Sequence, residues 1–201
     1  MPEIRLPLPI YTSYPLELIT ARDGEEFSLV IGLDRGLVAQ LKEKSLDESD
    51  IEIQSHTSDR KRFGEGSYEA WYAKERTPFA LVEKKTGMLA ALVWFGPKPL
   101  GRKSLKYLSE AELEKEGRQE KDAWHTVVYR SYPPFRGKGL MTNFLRRAMD
   151  VYLQHYPNVK LWAGMSGVNV ASAGLVGKLG FKKDEKLVDT EANWFAMVKD
   201  N

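Results

Sequence analysis

Arg136, Gly137, Lys138 and Gly139 are consecutive in this 201-residue chain, and two cations set among two glycines suit phosphate chemistry. Met141, Phe144, Leu145, Ala148, Met149 and Tyr152 follow at spacings of three and four, the apolar stripe of a helix. The β-branched and aromatic run Trp124-His-Thr-Val-Val-Tyr129 precedes the loop and predicts a strand. Strand, basic glycine loop and helix together hold an anion. Backbone N–H groups point at it, glycine lets the backbone come close, and the helix N-terminus adds about half a positive charge. The loop is not a nucleoside-triphosphate P-loop, because Lys138 is followed by Gly139 rather than Ser or Thr. It also lacks the three-glycine dinucleotide spacing. For these residues taken alone, a basic turn before an ordinary helix is the alternative.

The rest of the chain must position that loop. Its length fits one domain, residues 1–201, with a full core. A composition of 42% hydrophobic and 29% charged residues is ordinary for a globular protein and argues against disorder. A formal charge of +2 gives no reason to expect nucleic acid or a membrane surface as partner. The absence of cysteine excludes a disulfide framework, thiolate zinc sites and a cysteine nucleophile. No metal site is expected. The N-terminal segment is broken by prolines and has no apolar signal core, and Met88 to Phe95 is too short to span a bilayer. A cytoplasmic location is the default expectation.

In chain order, residues 1–14 read as an extended arm. Leu16 to Thr20 and Phe27 to Ile31 read as strands around Arg22-Asp-Gly24, and Leu33, Leu37, Val38 and Leu41 as one helix face. Leu46 to Gly66 reads as a polar stretch, and Ser67 to Lys74 as a short helix whose Trp71 and Tyr72 pack in the core. Pro78 to Glu83 and Met88 to Phe95 form a hairpin. Residues 97–122 read as a charged insertion with an exposed helix capped by Ser109 and Glu112, either a solvated connection or a lid or partner surface beside the substrate site. Beyond the central helix come a strand at Val159 to Met165, a helix at Val170 to Lys178 ended by Gly180, and strands at Lys182 to Leu187 and Trp194 to Val198. This order predicts an α/β (α+β) domain with a mixed, mostly antiparallel central sheet flanked by helices.

Two stretches in this order carry a family resemblance. Arg136-Gly-Lys-Gly139-Leu-Met141 resembles the acyl-CoA pyrophosphate loop of the GNAT N-acetyltransferase superfamily, Arg/Gln-x-x-Gly-x-Gly/Ala, with Met141 departing from the last position. Asn169, Ser172, Leu175, Lys178, Gly180 and Phe181 stand in register with the second signature of that family, whose tyrosine is replaced here by Val176. The resemblance is specific from about Pro78 to Phe181.

The resemblance implies an acyltransferase that moves acetyl from acetyl-CoA to an amine by direct attack in a ternary complex. It implies splayed strands forming the acyl-CoA cleft. Backbone groups of Tyr129, Arg130 and Ser131 would pair with the pantetheine arm. Backbone amides of Gly137, Lys138, Gly139, Leu140 and Met141 would hold the pyrophosphate, helped by the Thr142 hydroxyl and by the charges of Arg136 and Lys138. Asn169 and Ser172 would face the pantetheine or the thioester. His125 stands about where some relatives carry a glutamate, and an unperturbed pKa near ~6.5 suits a general base; simple packing is its alternative. With Val176 unable to give a proton, Ser172, Tyr129, Tyr132 or water is left to protonate the departing thiolate. His56 is placed on the substrate side, and His155 in a structural role at a helix end. A small-molecule amine, a peptide N-terminus and a protein lysine all stay open as acceptor, as does a homodimer through the last strands. Two other readings stand beside this one: an acyl-CoA-binding sensor without turnover, motivated by Val176 and Met141, and an unrelated protein that binds another phosphate ligand.

Overall fold

The computed structural model describes residues 4–103 and 124–199. Fourteen segments alternate along it. Strands β1 (Ser13–Thr20) and β2 (Glu26–Gly32) lead into helices α1 (Arg35–Leu46) and α2 (Ile51–His56), a π-helical turn (Arg60–Gly64) and α3 (Tyr68–Tyr72). Strands β3 (Thr77–Glu83), β4 (Leu89–Pro97) and β5 (Trp124–Ser131) follow, then α4 (Leu140–His155), β6 (Lys160–Ser166), α5 (Val170–Gly177), β7 (Lys182–Asp189) and β8 (Trp194–Lys199). The strands make one eight-stranded sheet in the order β1-β2-β3-β4-β5-β6-β8-β7. Every neighbouring pair is antiparallel except β5 and β6. The predicted fold class is therefore observed: one α/β domain with a mixed, mostly antiparallel sheet between helices.

Side chains alternate across the sheet because successive Cβ atoms of a strand point to opposite faces. Phe27, Leu29, Ile31, Val93, Phe95 and Val127 face α4 and form the larger core with Phe144, Leu145, Ala148 and Tyr152. Phe144 and Leu145 are fully buried, and each contributes roughly 1.5–3 kcal/mol of apolar burial. Val30, Ala80, Leu92 and Trp94 face the other way, onto Leu37, Leu41, Ile53, Phe63 and Trp71 of the α1–α3 layer. Trp71 and Tyr72 are buried there, as core packing requires.

The sequence stretch that reads as merely polar, 46–66, is structured by capping. Asp50 accepts from the Ile53 N–H (3.2 Å) and starts α2, and Ile53 and Phe63 are its two anchors in the core. The residues of the predicted arm that are described lie against the body: the carbonyls of Ile4, Leu6 and Leu8 meet His155, Tyr156 and Tyr72. The exposed helix predicted within residues 97–122 lies, from residue 104 on, outside the described residues.

Candidate functional site

β5 and β6 start side by side and then part. Trp124, His125 and Thr126 pair with Lys160, Leu161 and Trp162, and the ladder stops there although both strands continue. The opposite edges stay fully engaged, β5 with β4 and β6 with β8. The inner edges are thus left open, and they border a cavity of about 910 Å³. That volume is at the upper end of small-molecule sites, about 300–1,000 Å³. Tyr129, Arg130 and Ser131 line it from β5, Ala163 to Ser166 from β6, and Asn169 and Ser172 from α5.

The basic loop closes one end, with residues 136–142 all on the lining. Gly137 and Gly139 both take positive φ, +80° and +77°. A residue with a Cβ adopts that geometry at a cost, which explains the two glycines. The N–H groups of Gly139, Leu140, Met141 and Thr142 precede the helical ladder of α4 and have no acceptor among the described residues. They form a donor set at a sixteen-residue helix's positive end, suited to an anion. Met141 is half-buried and packs against the α4-side core, so it departs from the small residue of the motif without displacing these donors.

Arg136 does not project freely. Its Nε donates to the Ser131 carbonyl (3.0 Å) and its Nη2 to Asp50 (2.6 Å), with Glu52 at 3.2 Å. Asp50 thus caps α2 and clamps the loop at once. Lys138 pairs with Asp23 (2.9 Å) and Glu25 (2.6 Å) of the β1–β2 turn. No feature of the sequence named these four carboxylates, because each is distant in the chain from the cation it meets.

Tyr129 and Ser172 come together in the cleft. The Tyr129 hydroxyl lies 2.7 Å from Ser172 Oγ and 2.9 Å from its carbonyl oxygen. Burial drives the Tyr129 pKa above its ordinary value, so the phenol keeps its proton at neutral pH. Asn169 caps α5 by accepting from the Ser172 N–H (3.0 Å). Val176, at the position where the tyrosine of the motif would stand, is fully buried in the α4-side core. Tyr132 is fully buried against the α1–α3 layer and does not line the cavity.

His125 is not brought to the cavity either. It is buried, with Nδ1 2.6 Å from the Tyr152 hydroxyl and its ring against Tyr156. Burial, reinforced by the charge of Arg76, lowers its pKa to about 4. Between that value and the ~6.5 of the unfolded chain the unfolded state binds more protons, so this group's contribution to stability falls as pH falls through that window. The unfolding midpoint in urea should drop between pH 6.5 and 4, and the drop should be smaller in His125→Gln. Of the other histidines, His56 on α2 does line the cavity, while His155 is held by the Val151 and Ile4 carbonyls.

Trp94, Trp162 and Trp194 also line the cavity, from β4, β6 and β8, with Thr126 from β5. Arg130, on the same lining, forms a buried ion pair with Asp59, their side chains 3% and 0% exposed, and Arg62 adds a second contact to Asp59 (2.9 Å). Among the described residues no group of three or more potential metal ligands occurs. No helix among them is long and apolar enough to cross a membrane.

A family model described as an acetyltransferase (GNAT) domain matches residues 43–182. Solved structures share the fold at low identity. The GNAT domain of S. lividans PAT is 14% identical, with a TM-score of 0.62 over 94% of this chain and 99% of that one. The ribosomal-protein-S5-alanine acetyltransferase of Vibrio fischeri is also 14% identical, with a TM-score of 0.54 over 94% and 97%. The spermidine N-acetyltransferase of Vibrio cholerae, solved with CoA and spermine, is 17% identical, with a TM-score of 0.53 over 78% and 82%. No curated protein matches the chain in sequence.

Proposed function

The chain belongs to the GNAT acetyltransferase family, and from that premise we propose that it transfers an acyl group, acetyl first among candidates, from acyl-CoA to an amine. The observation that carries this reading is the parting of β5 and β6 over a cavity whose far end is closed by the donor-rich loop. The vacant N–H groups at the start of α4 would hold the CoA diphosphate, and the open inner edges of β5 and β6 would receive the pantetheine arm. Acetyl-CoA supplies an activated acyl group on a good leaving group, so the protein need not form a covalent intermediate.

The chain's own residues then have three tasks. The cleft brings an amine to the thioester carbonyl, and such proximity is worth up to about 7–11 kcal/mol in favourable cases. A backbone N–H on the open edge of β5 supports the negative charge that grows on the carbonyl oxygen. As the C–N bond forms and the C–S bond breaks, the amine gives up a proton to water or to His56, which lines the cavity, and Tyr129 with Ser172 supplies one to the departing sulfur. His125 has a packing role in this reading.

Tyr129→Phe should therefore leave CoA binding within about twofold and lower turnover on the order of a hundredfold, the low end of the ~10²–10⁴-fold range of general acid–base catalysis, because the thiolate is a good leaving group. Steady-state rates beside a calorimetric Kd separate the two effects. The tryptophans that line the cavity would seat the acceptor's carbon skeleton. The relatives act, by their names, on an alanine of a ribosomal protein and on spermidine, so both peptide and small amines belong in the screen. Release of free thiol from acetyl-CoA across that amine set tests turnover. Binding without thiol release for any amine would favour the second reading, an acyl-CoA sensor, which the burial of Val176 at the motif's tyrosine position supports.

A further inference from the structure

The two cations that the loop would offer to phosphate are already engaged, Arg136 by Asp50 and Glu52, and Lys138 by Asp23 and Glu25. A third cation at the loop comes from elsewhere. Arg22 sits in the turn between β1 and β2, is exposed, and lines the cavity beside the loop. It lies so close to Gly139 that a Cβ built on that glycine would stand 2.9 Å from Arg22 Nε. No carboxylate of a described residue pairs with it. Its near neighbours in sequence, Asp23 and Glu25, are the two acids that turn to Lys138 instead.

We propose that Arg22 is a phosphate-binding residue of the acyl-CoA site, receiving the diphosphate or the 3′-phosphate of CoA. The inference rests on the acyl-CoA reading of the cleft and adds to it a residue outside the segment that matches the family, 43–182. The turn that carries Arg22 is held in place. The Ala21 N–H donates to the Glu25 carbonyl (2.8 Å), and the Gly24 N–H to the Ala21 carbonyl (3.1 Å). Two ion pairs to Lys138 then tie this turn to the loop. The carboxylates that neutralise Lys138 therefore act as a bracket. They spend the lysine's charge on fixing the turn and leave the guanidinium, with its planar fork of donors, to meet phosphate oxygens. Gly139 has a second reason to be glycine here, since a side chain would occupy the place taken by Arg22.

The test is calorimetric titration of CoA and of dephospho-CoA, which lacks the 3′-phosphate, into the wild type, Arg22→Ala and Lys42→Ala. Lys42 lies exposed on α1 and off the cavity, so it controls for net charge. Arg22→Ala should weaken CoA binding about tenfold, as expected for one charge-assisted contact. Lys42→Ala should bind as the wild type does. A loss of equal size for both ligands assigns Arg22 to the diphosphate, and a loss confined to CoA assigns it to the 3′-phosphate. Wild-type affinity in a folded Arg22→Ala, or an equal loss in Lys42→Ala, would overturn the inference and leave the acyl-CoA reading standing. Failure of the wild type to bind CoA would overturn that reading, and this inference with it.

Discussion

Arg136→Glu should lower the affinity for CoA on the order of a hundredfold, well beyond the effect of removing one surface charge. The wild-type arginine holds the loop in three directions, through the Ser131 carbonyl, Asp50 and Glu52. The Asp50 side chain is only 2% exposed, and the Arg136 side chain 25%. A glutamate at 136 would set three carboxylates together, one of them out of water. Breaking a buried pair by removing one partner costs about 3–5 kcal/mol of stability, less here because Arg136 and Glu52 are partly exposed; affinity falls because the loop loses the contacts that hold its donors in place. The same change ends the hydrogen bond that fixes the loop against β5 and places an anion where the proposed site would receive the diphosphate. Arg136→Gln keeps a donor for Ser131 without the charge, and should fall between the two. Calorimetric Kd values for the three proteins check the order. Equal affinity in all three would mean that the loop is positioned without Arg136.

Asp59→Ala should be the most destabilising single change in the floor of the site, on the order of 3–5 kcal/mol in urea unfolding at pH 7. Its carboxylate is fully buried and is shared by Arg130 and Arg62. Arg130 is a cation on a sheet strand with its side chain 3% exposed, and burial alone brings its pKa down to about 10. At neutral pH it still carries its charge. Removing Asp59 leaves that charge facing Phe63 without its counter-ion. Arg130→Met alone should cost less, because it removes the buried cation, and in the double variant it should recover much of the loss. A loss under about 1 kcal/mol in Asp59→Ala would show that the pair contributes no more than an exposed one.

Much of the scaffold could be read from residue patterns. The helical stripe from Met141 to Tyr152 gives α4 nearly to its ends, and the apolar runs of β3 and β4 on either side of Lys84-Lys-Thr-Gly87 give the hairpin. The loop glycines were legible because positive φ restricts the choice of residue. Two spaced signatures, rather than one, gave the family. What stayed hidden was the partnership of charges. Asp23, Glu25, Asp50 and Asp59 are ordinary polar positions in sequence, and only the fold brings them to Lys138, Arg136 and Arg130. The short helix α2 and the π-helical turn are not legible in the sequence, because a run of six or five residues with one buried apolar anchor leaves no periodic signal. His125 illustrates the complementary limit. Its place on β5 was legible, but its side of the sheet was not, and the structure seats it against Tyr152 and Tyr156.

The most direct measurement is a calorimetric titration of the purified protein with acetyl-CoA. Saturable binding of one acetyl-CoA per chain, weakened in Arg136→Glu, is the expected result. A flat titration, in protein whose circular dichroism and cooperative unfolding show it to be folded, would contradict the assignment of this cleft to acyl-CoA.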